Sequence, residues 1–246
     1  MRIKPVLLSF FAIAALGAGT AHASANLVAN GGFETTTNGT NKQLSSTITN
    51  ASNRTTLDGW LSSNGNDGGY NFVLDTRIAN TWDSAIWLKD NGNGYVASAT
   101  RGNVFASDAL YWPGVLSQTI NGLAVGSAYT LTFDYALAQQ VGFDGANGDN
   151  YWQVGFGGAT QKSTALSIGN GGFSGWKTAT MTFTAQSASQ ALSFLANGAA
   201  PGAPPFLLLD GVSLVSAVPE PATWGMLLGG LGLVGFLARR RAAKRS

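Results

Sequence analysis

The stretch from Ser24 to Val218 carries eleven carboxylates and seven Lys and Arg, but no cysteine and no histidine; the one imidazole of the chain, His22, precedes it. Catalysis of the Ser-His-Asp or Cys-His kind is therefore excluded, as are cysteine- or histidine-ligated zinc and histidine acid–base chemistry. Carboxylates alone can cleave a glycosidic bond, but only as two groups held at a fixed separation. Glu34 and ten aspartates show no recognisable pairing motif. The sequence thus reads as a protein that is not an enzyme, with a carboxylate-dependent glycoside hydrolase as the least favoured alternative.

Binding is better provided for. Sugars stack flat C–H faces on aromatic rings and pair their hydroxyls with amides and carboxylates. Trp82, Trp87, Tyr95, Tyr111, Trp112, Tyr151 and Trp152 supply rings, and Asp83, Asp149, Asn150 and Gln153 are their neighbours. Trp112 before Pro113, and Tyr151 with Trp152 after a polar loop, fall near loop ends where a sandwich presents side chains. The ligand-binding candidates are Trp112, Tyr151, Trp152, Trp82 and Asp83. The competing reading is that these rings fill a core that lacks any disulfide. Adjacent strand residues point opposite ways, so of Tyr151 and Trp152 only one need be buried.

The elements that must hold these residues are strands. From Asn26 to Leu214, short runs rich in Thr, Val, Leu and aromatics alternate with Gly, Asn, Asp and Ser clusters. Ala128 to Ala136 puts Tyr129, Leu131, Phe133 and Tyr135 on one face and Thr130, Thr132 and Asp134 on the other. Lys177 to Phe183 alternates likewise, and Gln190 to Ala196 follows. Phe206 to Leu209 is continuously apolar, which predicts a strand covered on both faces. Further strands are expected at Tyr70 to Leu74, Ser84 to Leu88, Gly94 to Ala97, Val115 to Ile120 and Trp152 to Phe156. Asn121 and Gly122 predict that the Val115 and Ala128 strands are adjacent and antiparallel. Gly- and Asn-rich loops at 64–69, 90–94 and 142–150 are too polar for a core. The fold class is all-β: a two-sheet antiparallel jelly-roll sandwich spanning 24–217, about the size of one domain.

Both ends read as address. Residues 1–23 have the form of a signal peptide for the Sec export machinery: Arg2 and Lys4, an apolar core from Val6 to Leu16, and Ala21, His22, Ala23 as the cleavage site. Residues 218–246 join Pro219, Glu220 and Pro221 to an apolar segment, 222–238, and a basic tail, 239–246, that includes Arg239, Arg240 and Arg241. About 17 helical residues at about 1.5 Å each reach about 25 Å, the short end of a single transmembrane helix. The basic cluster anchors it on the cytoplasmic side. Without these ends, seven Lys and Arg stand against eleven Asp and Glu, a net of −4. That balance carries no footprint for nucleic acid.

The tail resembles the PEP-CTERM sorting signal of Gram-negative bacteria, with Ala222, Thr223, Trp224 and the glycines of 228–235 in keeping. The resemblance implies an exosortase as partner, a single-pass inner-membrane intermediate, and delivery to an exopolysaccharide-rich cell surface or extracellular matrix. A plain permanent anchor is the alternative. A second resemblance rests on Asn26, Leu27, Val28, then Asn30, Gly31, Gly32, Phe33, Glu34, then Gly59 and Trp60, and finally Leu209, Asp210, Gly211, Val212, Ser213 and Leu214. These are similar to the opening and closing strands of galactose-binding-like jelly rolls, a group that includes carbohydrate-binding modules. It implies adjacent first and last strands and a structural calcium at the matching Glu34 and Asp210; the alternative is that both merely serve turns. The functional expectation is non-catalytic engagement of exopolysaccharide in the envelope or biofilm matrix, or else a structural matrix and adhesion protein with no defined sugar ligand.

Overall fold

The apolar run that begins at Phe206 lies in the middle of the larger of two sheets. The computed structural model describes residues 25–65, 67–198, 205–217 and 229–234. Ala21, Ala23, Pro219, Glu220, Pro221, Arg239, Arg240 and Arg241 lie outside the described residues. Ser24–Val218 is one compact unit. Of the remainder, a helical turn at 229–234 is described. No helix among the described residues is long and apolar enough to cross a membrane.

The described strands of the body are β1 (Lys42–Leu44), β2 (Arg54–Thr55), β3 (Leu61–Ser63), β4 (Asn71–Asp75), β5 (Asn103–Asp108), β6 (Val115–Asn121), β7 (Ala128–Gln139), β8 (Asn147–Phe156), β9 (Ala159–Lys162), β10 (Leu166–Ile168), β11 (Lys177–Thr184), β12 (Ser189–Asn197) and β13 (Pro205–Ser216). One sheet runs β11-β7-β13-β5-β4-β1-β2 and the other β10-β8-β12-β6-β3, with β9 added beside β8. Every pairing is antiparallel except β1 with β2. From β6 to β8, and again from β11 to β13, the chain changes sheet at each strand. That alternation makes the sandwich a jelly roll.

Period-two patterning places the core. Leu131, Phe133 and Tyr135 of β7 and Leu207 and Leu209 of β13 face Trp152, Val154, Phe156, Leu192 and Phe194 of the other sheet. The opposite face of the same two strands, Ala136, Ala138, Phe206 and Leu208, belongs to a second apolar layer with Ala79, Ile86 and Leu88. The long β4–β5 connection thus lies over the seven-stranded sheet. β13 is buried on both sides, as its unbroken apolar run requires. The opening segment lies along β13, with Leu27 N donating to Leu214 O and Val212 N to Gly31 O, each at 2.9 Å.

Three expectations are corrected. Ser84 to Leu88 and Gly94 to Ala97 are not strands: the first makes successive turns and pairs only through the Leu88–Gln140 bridge. Ile86 and Leu88 are buried as a cover over the sheet while Trp87 faces out, and the same alternation serves a lid as well as a ladder. β6 and β7 are not neighbours. Their apolar faces meet across the core, and the 122–127 link turns over the sandwich edge, with Leu123 buried and its N–H on Ala188 O. The 142–150 stretch is not wholly loop, since β8 begins at Asn147 and both Asn147 and Asn150 are buried. β5 escapes the sequence pattern because Asn103 and Ser107 are polar yet buried. Asn103 Nδ2 donates to Phe33 O at 3.0 Å, and Ser107 Oγ to Asn71 Oδ1 at 2.6 Å.

Candidate functional site

The β5–β6 loop holds two exposed rings in a braced frame. Asp108, at the end of β5, accepts the backbone N–H of Leu110 at 2.8 Å and of Tyr111 at 2.9 Å through the same oxygen. This Asx-type turn fixes the loop's direction. Trp112 then takes φ +53°, an outlying conformation for a bulky side chain that costs about 1–3 kcal/mol. Neighbours hold it there: Trp112 O accepts Tyr70 N at 2.9 Å, Pro113 O accepts Asn64 Nδ2 at 2.9 Å, and Gly114 O accepts Asn71 Nδ2 at 2.9 Å.

Rings support the same loop from beneath. Phe206 meets Phe72 at 6.0 Å, Phe72 meets Tyr70 edge-on at 4.9 Å, Tyr70 meets Tyr111 edge-on at 5.1 Å, and Tyr111 meets Trp112 at 6.4 Å. This ladder leads from a fully buried ring to one that is 62% exposed. Burial pushes the Asp108 carboxyl above the ordinary carboxylate value, against the opposing pull of the Tyr111 and Leu110 N–H groups. It also pushes up the Tyr70 phenol, with the Asp108 charge adding to the shift.

Tyr151 and Trp152 separate as strand geometry demands. Trp152 is fully buried, with its indole N–H on Leu208 O at 3.2 Å and its ring beside Phe105 and Phe194. It is a core residue, which removes it from the ligand-binding candidates. Tyr151 lies on the outer face of the six-stranded sheet, with Lys162 Nζ 5.4 Å from its ring centroid. Tyr151 pairs with Asn197 at the end of β12, and β6 begins three residues after Trp112. The Trp112 loop and Tyr151 therefore share one end of that sheet. Gly198 joins them, since a Cβ there would fall 2.6 Å from Asn150 Oδ1 and 3.4 Å from Leu110 Cδ2. Trp82 and Asp83, both exposed, belong instead to the β4–β5 connection over the other sheet.

Glu34 and Asp210 come together where the opening segment meets β13. Gly32 lies between them: a Cβ there would be 3.8 Å from Asp210 Oδ1 and 3.9 Å from Glu34 Cγ. Gly102 packs against Glu34 so closely that a Cβ would lie 1.8 Å from Oε1. Asp210 Oδ2 accepts the Thr100 hydroxyl at 2.6 Å and Oδ1 accepts Gly211 N at 2.7 Å; Glu34 Oε1 accepts Asn103 N at 2.9 Å. Burial raises the Asp210 carboxyl, the Thr100, Ser98 and Gly211 donors lower it, and the Glu34 charge raises it further. Two carboxylates with the Thr100 hydroxyl beside them are hard oxygen donors of the kind calcium takes, and the glycine cradle keeps side chains out. The donor set fits that ion in kind. Among the described residues no third acidic side chain joins the pair.

Sequence reasoning named Trp112, Tyr151, Glu34 and Asp210 but not the residues that position them. Asp108 was legible as an acceptor two and three residues before Leu110 and Tyr111. Tyr70 lies 42 residues before Trp112 and left no local signal, whereas Lys162 is returned to Tyr151 by the β8–β9 hairpin, whose Gly157-Gly158 turn was a signal the sequence carried.

The PEP-CTERM protein-sorting motif model matches residues 217–241. A comparison with curated proteins finds no match. Among solved structures, the chain is similar to TmCBM61 in complex with β-1,4-galactotriose, at 14% identity over 78% of this chain and 99% of that one, TM-score 0.42. It is also similar to the CBM22-1 xylan-binding domain of Xyn10C from Paenibacillus barcinonensis, at 13% identity over 81% and 99%, TM-score 0.37. A third is the enzymatically active domain of tailspike protein 4 from bacteriophage CBA120, at 13% identity over 78% and 21%, TM-score 0.38.

Proposed function

We propose that this chain is an exported, non-catalytic polysaccharide-binding protein of the Gram-negative cell surface, which engages exopolysaccharide of the envelope or biofilm matrix through Tyr111 and Trp112, with Tyr151 beside them. The carrying observation is Trp112: 62% exposed, at φ +53°, with the loop backbone held by Tyr70, Asn64 and Asn71 and its ring against Tyr111. A ring held at a cost in backbone strain, and open to water, is what a preorganised stacking platform needs. Its flat face suits the C–H surface of a sugar, and the Asn197 amide beside Tyr151 suits hydroxyls. The sorting motif supplies the address: an exosortase acts near Pro219, Glu220 and Pro221 after Sec export. Glu34 and Asp210 hold a structural calcium that ties the opening segment to β13.

The test is retardation of the full-length chain, in mild detergent, through gels cast with the producer's own exopolysaccharide. Retardation that Trp112→Ala removes and Trp82→Ala leaves intact supports the reading. Unretarded migration of the unaltered chain overturns it in favour of a structural matrix protein, and polymer shortening in the gel would restore the hydrolase.

A further inference from the structure

A second ring, Trp87, lines a depression of about 290 Å³ together with Asn80, Lys89, Asp90, Asn91 and Val141. We infer that this is a separate sugar site, one that takes a single neutral pyranose. It shares no residue with the Trp112 platform.

The construction of the depression is rigid. Val141 N donates to Trp87 O at 2.7 Å and Lys89 N to Gln139 O at 2.8 Å, so residues 87–89 are stitched to the end of β7. This pairing buries Leu88 and turns Trp87, 43% exposed, outward. The Trp87 indole N–H is taken by Asn80 O at 3.0 Å, which sets the plane of the ring. Asn80 Nδ2 donates to Asp90 Oδ2, fixing both side chains beside it. Asn93 Nδ2 bonds both Lys89 O and Gly171 O at 2.8 Å and holds the turn that carries Asp90 and Asn91.

What remains free sets the ligand. Among the described residues, the Asn91 amide and Asp90 Oδ1 have no hydrogen-bond partner, and they stand with the side-chain oxygen of Asn80 around an aromatic wall. A carboxylate oxygen, the Asn91 amide and the Asn80 side-chain oxygen can satisfy a pair of neighbouring hydroxyls while the indole and Val141 cover C–H groups. The volume lies just below the range of about 300–1,000 Å³ usual for small-molecule sites, enough to seat one ring. The charge argues for a neutral sugar: Lys89 Nζ is engaged by Asp144 at 2.9 Å, and Asp90 would repel a uronate. Two independent sites on one domain would let it hold polymer with an avidity neither has alone.

The probes are the methyl glycosides of glucose, galactose and mannose, with glucuronate as the charged control, titrated into the full-length chain in detergent and read by saturation-transfer difference. At least one neutral glycoside should bind saturably. Trp87→Ala should weaken it at least about tenfold, whereas Trp112→Ala should change it less than about twofold. Asn91→Ala removes no bond of the fold, so a loss of affinity there reports the site itself. Loss with Trp112→Ala and retention with Trp87→Ala, tighter binding of glucuronate, unchanged affinity in both Asn91→Ala and Asp90→Asn, or no saturable neutral glycoside would each overturn the inference. Because the Trp112 platform is read separately by polymer retardation, the two sites can fail independently.

Discussion

Tyr151 and Trp152 are adjacent in the chain and stand on opposite sides of the six-stranded sheet. One ring lies under the Lys162 ammonium at the surface, and the other donates its indole N–H to Leu208 O inside the sandwich. Their substitutions should therefore separate stability from binding.

Trp152→Ala should cost about 3–5 kcal/mol, the price of emptying a well-packed aromatic site. Tyr151→Ala should stay within about 0.5 kcal/mol in stability, yet reduce retardation in exopolysaccharide gels. Thermal denaturation alongside the gels reads both. Equal destabilisation by the two changes would mean that Tyr151 is part of the packing and not of a binding face.

The Asp108 carboxylate is the hinge pin of the Trp112 loop. Asp108→Ala should lose about 1–3 kcal/mol and weaken polysaccharide retention, because the Leu110 and Tyr111 N–H groups lose their acceptor. Asp108→Asn keeps a carbonyl at that position and removes a buried charge. It should retain binding and melt no lower than the parent at neutral pH. If both variants bind like the parent, the loop is not positioned by this turn.

The sandwich was legible where one side of a strand meets water, and less so elsewhere. β7 and β11 announce themselves because Thr130, Thr132, Thr178 and Thr180 alternate with buried rings and aliphatics. β5 is buried along its whole length and mixes Asn, Ser and Asp with Val and Phe, so its polar residues, each bonded internally, hide the strand. The lid over the seven-stranded sheet carries strand-like apolar spacing without a strand. At the candidate site, the exposed rings could be named from sequence, but which ring faces outward depends on strand parity. The bracing of Trp112 depends on Tyr70, which is distant in the chain, and Lys162 reaches Tyr151 only through the register of the β8–β9 hairpin. The Trp87 depression exists only because residues 87–89 meet 139–141, a contact no local pattern encodes.

If the proline-flanked glutamate is read by a processing protease, Glu220→Ala in the producing cell should accumulate a longer, membrane-bound form and reduce surface display. Immunoblots of membrane and surface fractions decide this. Identical mobility and display would mean that the tail works as a plain anchor.

The proposed calcium and pH would act on the same pair of acids, and together they give the sharpest test of Glu34 and Asp210. Without calcium, burial and the Glu34 charge raise the folded-state pKa of Asp210, and burial raises that of Asp108. An acid raised in this way contributes stability that is present below the ordinary carboxylate value of 3.8 and is lost as pH rises through its folded value. Asp75 runs the other way: its hydrogen bonds from Arg77 hold it low, so its contribution is lost only as pH falls below that range. In chelator, the melting temperature should therefore climb as pH is lowered from neutral toward about 4 and then fall, with Asp210→Asn reducing the climb. Calcium held by the ionised carboxylates of the folded chain, as proposed, should raise the melting temperature most at neutral pH and flatten the profile. Gly102→Ala, whose Cβ would displace the Glu34 carboxylate, should abolish the calcium response without removing a single ligand oxygen. A melting temperature that chelator and calcium leave unchanged across this range would mean that Thr100, Gly211 and Asn103 alone satisfy the two acids, and that the closing of the sandwich here is a matter of hydrogen bonds.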